Sequence, residues 1–147
     1  MADWRFAFSH GWTLTDLRLV SADATAIRLD PGASTPQMLS PAGLRLNPDP
    51  REGGYGRLRI FLRSSAGTRW LRVHFTTESD GAWDEEKAQF AAMPGNGGWS
   101  EVVVELGQVP RWVSGGRIDQ IRIDPLQTGY LARAGGMIEI DWMRFDR

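Results

Sequence analysis

The chain has 147 residues, of which 41% are hydrophobic and 24% charged, and its formal net charge is −1. A chain of this length can close its own hydrophobic core, so residues 1–147 are predicted to form one domain whose stability requires no metal or disulfide. The balanced charge argues against nucleic acid or an anionic membrane as partner. No apolar run reaches the ~20 residues of a membrane span, and the absence of cysteine excludes disulfides and thiol catalysis.

Apolar residues recur with a period of two along most of the chain, which is typical of strands with one buried face. In chain order, the candidate strands contain Trp4, Phe6 and Phe8; Ile27 and Leu29; Leu58, Ile60 and Leu62; Leu71, Val73 and Phe75; Val102, Val104 and Leu106; Ile121 and Ile123; and Ile138, Ile140 and Trp142. Residues 84–92 are predicted to form a short helix or a distorted strand. Roughly eight short strands separated by glycine and proline turns predict an all-β fold, an antiparallel β-sandwich or jelly roll.

Several of these segments together resemble a known family. They are SPAGLRL (40–46), the strand-turn-strand segment 58–90, GWSEVVVEL (98–106), IDQIRIDPLQTG (118–129) and IEIDWMRF (138–145). In this order they resemble the galactose-binding-like jelly-roll modules of bacterial polysaccharide-associated proteins, which are relatives of carbohydrate-binding modules. The resemblance implies the same sandwich and a sugar ligand. The chain departs from the pattern by an insertion, PLQTGYLARAGG (125–136), which could be a binding loop or an assembly contact.

A patch of aromatic and arginine side chains is predicted outside the core. Sugar rings stack on flat aromatic faces, and guanidinium groups suit a sugar that carries a carboxylate. If their strands share one sheet, the carbohydrate-binding residues are Trp70, Arg72, His74, Arg59, Phe61 and Arg122. The alternative interpretation is that an outer face simply needs polar residues, with Glu101 and Glu105 paired to the arginines across strands.

Aromatic residues on loops form a rival candidate site, because exposed loop aromatics are often functional. These residues are Tyr55, Trp83 and Tyr130. The other tryptophans are assigned differently. Trp4 and Trp142 are in phase with buried neighbours and are predicted to pack in the core, whereas Trp12 is left unassigned. The resemblance also favours a structural role for Trp83, Trp99 and Trp112.

A structural calcium ion near the joined terminal strands is a further implication of the resemblance. Asp141 would be a ligand, and Asp3 or backbone carbonyls would supply further oxygens, because calcium takes six to eight. No EF-hand spacing supports this site. The alternative is a surface salt bridge from Asp141 to an arginine. No other cofactor is predicted.

The sequence contains no catalytic constellation. The acidic cluster within residues 80–86 is most simply a solvated turn, and His10 and His74 lie in neither a nucleophile elbow nor an HExxH motif. No glycine-rich phosphate-binding motif is present. The chain is therefore predicted not to be an enzyme.

The predicted function is a carbohydrate-binding module that tethers an enzyme or a particle to a polysaccharide or cell-surface glycan, including one with acidic sugars. The alternative is a structural adaptor of a multi-protein or virus-like particle that adheres to capsule, with the Tyr130 insertion contacting other subunits. Both place the chain outside the cell or on a particle or cell surface, although the N-terminal residues show no signal peptide.

Overall fold

The computed structural model describes residues 3–5, 12–15, 17–22, 27–31, 37–64, 68–93, 97–127 and 138–147. The strands among them are β1 (Asp3–Arg5), β2 (Thr13–Thr15), β3 (Leu17–Ala22), β4 (Ile27–Pro31), β5 (Gln37–Leu39), β6 (Arg57–Ser64), β7 (Thr68–Thr77), β8 (Ala88–Ala92), β9 (Ser100–Val104), β10 (Ile118–Gln127) and β11 (Ile138–Asp146). The helix α1 is Pro110–Ser114, and 3₁₀ turns lie at Pro50–Glu52, Glu85–Lys87 and Leu106–Gln108. Within the described part of the chain, no helix has the length and apolar character needed to cross a membrane.

The strands form two antiparallel sheets that pack face to face. The order in the first sheet is β3-β4-β11-β6-β9, and β1 also pairs with β11. The order in the second sheet is β2-β5-β10-β7-β8. Several consecutive strands, such as β6 and β7 or β9 and β10, fall in different sheets, as expected for a jelly roll, whereas β3 and β4, and β7 and β8, pair within one sheet. The predicted all-β antiparallel sandwich is confirmed.

The core lies between the sheets and is filled by alternate side chains of the facing strands. Its members include Leu58, Ile60 and Leu62 of β6, Leu71, Val73 and Phe75 of β7, Val102 and Val104 of β9, and Ile121 and Ile123 of β10. Trp112 of α1 is fully buried and packs edge-on against Phe75, with ring centroids 4.9 Å apart. Its indole Nε1 donates a hydrogen bond to the Tyr55 carbonyl oxygen at 2.7 Å, so α1 is fixed to the core by packing and by a satisfied polar group.

A β-bulge in β11 changes which side chains of this strand face the core. The register shift falls between Ile140 and Trp142, so Asp141 is an extra residue in the strand. After the bulge Met143 is buried, whereas Trp142 is only partly buried and lies on the outer side. The prediction that Trp142 packs in the core was therefore wrong, because one inserted residue reverses the alternation.

Candidate functional site

The outer side of the five-stranded sheet carries the residues predicted on β7. Trp70, Arg72 and His74 alternate with the core-facing residues of this strand and therefore lie on its other side. On the neighbouring strand β10, Arg122 is directly opposite His74, and Asp124 is opposite Arg72. We call this surface the Trp70 face. It consists of Trp70, Arg72, His74, Phe90, Arg122 and Asp124, together with Trp83 and Glu85 from the loop before β8.

Asp124 lies at the centre of the Trp70 face and forms ion pairs with both of its arginines. Its side chain is only 4% exposed. Oδ2 accepts hydrogen bonds from Arg72 Nη2 at 3.0 Å and Arg122 Nη2 at 3.1 Å, and Oδ1 accepts one from Arg122 Nε at 3.0 Å. A buried carboxylate is stable only when it is paired in this way. The two guanidinium groups are therefore held in position by ion pairs.

His74 is buried beneath this network and is held from both ring nitrogens. Arg122 Nη2 lies 3.2 Å from His74 Nδ1, and a guanidinium can only donate, so Nδ1 accepts. The proton of the neutral ring is then on Nε2, which lies 3.4 Å from Glu85 Oε1. Burial lowers the pKa of His74 below its ordinary value, and the positive charges of Arg122 and Arg72 act in the same direction, against the opposing effects of Asp124 and Glu85.

The lowered pKa of His74 predicts a loss of stability in mildly acidic solution. The unfolded chain takes up the His74 proton as the pH falls through about 6.5, whereas the folded chain resists protonation until a lower pH. The melting temperature should therefore decrease as the pH falls from about 7 to about 5. A His74→Gln variant, measured over the same range, should lose most of this dependence. An equal slope in both proteins would contradict the assignment.

The carboxylates with lowered pKa values act in a different pH range, so they do not obscure the effect of His74. Hydrogen bonds from the Ala82 backbone N–H and from Lys87 lower the pKa of Asp80, and hydrogen bonds from Arg59 and the Arg147 backbone N–H lower that of Asp146. Their contributions are present above the ordinary aspartate pKa of about 3.9 and are lost only below it.

Two aromatic rings on the Trp70 face are open to solvent. Trp70 is 47% exposed and Phe90 is 49% exposed. Phe90 of β8 is opposite Arg72, and Ala92 is opposite Trp70, so the two rings occupy diagonal positions on adjacent strands. The small side chain of Ala92 leaves space beside the indole. The result is an apolar platform at one end of the ion-paired network.

The loop between β7 and β8 is held together by Lys87, the single lysine of the chain. The Lys87 side chain is only 2% exposed, and its Nζ donates to the carbonyl oxygens of Asp80, at 3.1 Å, and Ala82. Nζ also lies 3.1 Å from Asp80 Oδ1 and 3.7 Å from Asp84 Oδ2. This buried ammonium fixes the loop whose other side chains reach the Trp70 face.

Trp83 and Glu85 are the loop side chains that join the face. The Trp83 ring lies against the Arg122 guanidinium, whose Cζ is 5.2 Å from the ring centroid. Glu85 is 69% exposed, and its Oε1 accepts a hydrogen bond from Arg72 Nη1 at 3.3 Å. Trp83 was predicted as part of a rival loop site, but the structure places it on the same surface as Arg122.

Arg59 and Phe61 do not join the Trp70 face. Both point outward, as predicted, but they lie on β6, in the other sheet, so the single patch that depended on a shared sheet does not form. Arg59 pairs with Glu101 at 2.9 Å and Asp146 at 2.7 Å, and Arg57 pairs with Glu105 at 3.0 Å. The pairs with Glu101 and Glu105 are those that the alternative interpretation named, and the pair with Asp146 is an additional one. Alternation shows which side of a strand faces solvent, but not which of the two sheets contains the strand.

A second aromatic surface lies on the outer side of the six-stranded sheet. The Phe61 ring stacks against Trp99 on one side, with centroids 5.4 Å apart, and against Trp142 on the other, at 5.8 Å. Arg63 lies over the Trp99 ring at 4.9 Å and Arg144 over the Trp142 ring at 5.1 Å. We call these five residues the Trp99 face.

The remaining predicted site residues are not gathered at either face. Tyr55 is partly buried against the core and packs near Phe145, with centroids 6.2 Å apart. Tyr130 lies outside the described residues, so the predicted contact with other subunits stays a prediction. Of the residues predicted to bind calcium, Asp141 is partly exposed at the bulge, and the Asp3 side chain lies outside the described part of the chain. Among the described residues, no group of three or more histidine, aspartate or glutamate side chains could hold a metal ion. The calcium site also stays a prediction.

Sequence reasoning missed Phe90, Asp124 and Lys87 as parts of the site. Phe90 is the single large apolar residue between two alanines at period two, which is a pattern of an exposed ring on an edge strand. Asp124 shares the phase of Arg122, so its presence on the same face could have been inferred from alternation. Lys87 had no such signal, because its burial depends on how the loop folds back over the sheet.

Known structures share this architecture over nearly the whole chain. A family 6 carbohydrate-binding module from Clostridium cellulolyticum, solved with xylose, superposes with a TM-score of 0.60 and 8% identity, over 99% of this chain and 97% of that one. A β-1,3-glucan-binding module of the same family from Bacillus halodurans gives 0.60 and 10%, over 99% and 95%. A module from Clostridium stercorarium, solved with cellobiose, gives 0.53 and 9%, over 100% and 94%.

The chain has the fold of the carbohydrate-binding modules. This confirms the predicted galactose-binding-like sandwich. No protein-family model matches the chain, and neither does any curated protein. At identities of 8–10% the carbohydrate-binding-module likeness establishes the fold, so the ligand must be argued from the two faces themselves.

Proposed function

We propose that the chain is a non-catalytic carbohydrate-binding domain that attaches a larger assembly to a polysaccharide through the Trp70 face. The observation that carries the proposal is the pair of exposed rings, Trp70 and Phe90, beside polar groups that are already fixed by ion pairs. Such a domain works where polysaccharides are accessible, outside the cell or on the surface of a cell or particle. Because single sugar sites are weak, several copies acting together would give firm attachment.

The chemistry of the Trp70 face matches what a sugar ring presents. The C–H faces of a pyranose pack on the aromatic rings of Trp70 and Phe90. Arg72 supplies N–H donors and Glu85, 3.3 Å away, supplies a carboxylate acceptor, so adjacent hydroxyl groups can be bound by a donor and an acceptor side by side. Because both side chains are restrained before binding, little conformational entropy is lost when the sugar arrives.

The charge of this face bears on the kind of glycan. Arg72 and Arg122 are balanced by Asp124 and Glu85, and His74 is neutral near pH 7 because its pKa is lowered. The Trp70 face therefore has no net charge, which favours a neutral glycan. Preference for an acidic glycan requires Arg72 to exchange Glu85, its exposed partner, for a sugar carboxylate. A xylan, a β-glucan and a polyuronate offered side by side distinguish the two.

Replacing Trp70 or Phe90 by alanine tests the proposal directly. Each substitution removes one stacking surface, which we expect to cost about 1.4 kcal/mol of binding free energy or more. Binding to the preferred glycan should therefore weaken at least about tenfold. The melting temperature should change little, since both side chains are nearly half exposed. Affinity electrophoresis and isothermal titration against the three polysaccharides provide the measurements.

The matched control is Val113→Ala. Val113 is 44% exposed and lies on α1 rather than on either sheet face, so its removal should leave binding unchanged. Undiminished retention of the glycan by a Trp70→Ala, Phe90→Ala double variant would show that the Trp70 face is not the site.

A further inference from the structure

The Trp99 face is a continuous aromatic row that crosses three adjacent strands. Trp99 precedes β9, Phe61 lies on β6 and Trp142 on β11, and these strands are neighbours in the order β11-β6-β9. The planes of successive rings differ by only 27° and 23°. Trp99 is 37% exposed, so the row reaches solvent at its β9 end.

Polar groups accompany the row along its length. Arg63 lies over Trp99 and is itself paired with Glu139 at 3.0 Å. Glu101 is directly opposite Phe61 and pairs with Arg59. Donors and acceptors thus alternate beside the rings, which is the combination that sugar hydroxyls require.

The exposed area of the row argues for a small ligand over a protein partner. A tryptophan side chain contributes roughly 150–250 Å² when it is buried, so Trp99 at 37% exposure offers less than about 100 Å². Phe61 and Trp142 are each less exposed, and the three rings together offer on the order of 200 Å². A standard protein interface needs about 800 Å² from each partner, whereas a few sugar units fit along the exposed edges of these stacked rings.

We infer that the Trp99 face is a second carbohydrate-binding surface, separate from the Trp70 face. The two faces belong to different sheets and lie on opposite sides of the sandwich, so one polysaccharide chain cannot cover both by lying across a single sheet. A domain with both surfaces bridges two glycan chains. The inference shares its ligand class with the proposed function but rests on different residues.

Stoichiometry tests this inference. Xylo-, cello- and β-1,3-gluco-hexasaccharides are titrated by calorimetry into the wild type, a Trp99→Ala, Trp142→Ala variant and a Trp70→Ala, Phe90→Ala variant. We expect two bound oligosaccharides per wild-type chain and one per chain in each variant. In a second readout, the wild type should cross-link a long soluble glucan or xylan and make it turbid, and neither variant should do so.

The outcomes separate the two claims. Unchanged stoichiometry and turbidity in the Trp99→Ala, Trp142→Ala variant would overturn the second surface. Complete loss of binding in that variant, with normal binding in the Trp70→Ala, Phe90→Ala variant, would support the Trp99 face and reject the Trp70 face as the site. Failure of the wild type to bind any of the three sugars would reject both. If the Trp99→Ala, Trp142→Ala variant melts at a lower temperature than the wild type, the single variant Trp99→Ala replaces it, because Trp99 is exposed. Its stoichiometry and turbidity are then compared with those of the wild type in the same way.

Discussion

Replacement of Asp124 by asparagine should lower the free energy of unfolding by about 3 kcal/mol or more, because removal of one partner of a buried ion pair leaves the other charges uncompensated. Asp124 accepts hydrogen bonds from Arg72 and Arg122 and lies 3.5 Å from His74 Nδ1. Asparagine keeps the shape but not the charge, so two guanidinium groups would remain close together with only Glu85 to balance them. Urea unfolding, followed by tryptophan fluorescence, measures the loss.

The control for Asp124→Asn is Glu105→Gln. Glu105 pairs with Arg57 at 3.0 Å, but both side chains are about two-fifths exposed. An exposed pair of this kind contributes on the order of 0.5 kcal/mol, so the control should unfold almost as the wild type does. Equal destabilisation in the two variants would show that Asp124 has no special role in the Trp70 face. We also expect Asp124→Asn to weaken glycan binding, because Arg72 would no longer be held in place.

Lys87→Met is the other substitution expected to have a large effect. Methionine fills a similar volume but donates no hydrogen bond, so the carbonyl oxygens of Asp80 and Ala82 and the carboxylate of Asp84 would lose their shared partner. A loss of about 2 kcal/mol is expected, because the two carbonyl oxygens would lose a charged hydrogen-bond donor, whereas the two carboxylates are about two-fifths exposed and can be solvated. Glycan affinity should fall as well, because the loop that this ammonium holds carries Glu85.

Arg111→Met separates the loss of the buried ammonium from the general loss of a positive charge. Arg111 pairs with Glu86 of the same loop at 2.7 Å, but the side chains are 53% and 70% exposed. Its removal should change stability by less than about 0.5 kcal/mol and leave binding intact. If Lys87→Met behaved like Arg111→Met in urea unfolding and in calorimetry, the loop would not depend on the buried ammonium.

Alternation in the sequence was enough to predict the sandwich and the outward side of most strands. Trp70 and Arg72 are exposed, or partly so, for the reason given in advance: they are out of phase with Leu71 and Val73. The same reasoning failed to separate Phe61 from Trp70, because sheet membership depends on pairing between strands that are distant in the chain. Pairing of that kind leaves no local signal.

Alternation also could not predict how deeply an individual side chain is buried. His74 shares the phase of Trp70, yet it is buried, because the loop that carries Glu85 folds back over it. Trp142 shares the phase of Ile140, yet it lies outside because of the bulge. In both cases one local event, a loop return or an inserted residue, overrides a regular pattern, and neither event can be read from hydrophobicity.

The bulge in β11 also affects how residues should be matched between sandwiches of this type. An alignment based on hydrophobic spacing alone would equate Trp142 with an interior position of a relative that has a regular last strand, and every later position would be assigned to the wrong side. Deletion of Asp141 would remove the bulge and leave Trp142 outward and Met143 inward, in regular alternation with Ile140. Binding residues grafted onto this strand must therefore be placed by their partners on β6, where Phe61 is opposite Trp142, rather than by counting along the strand from Ile138.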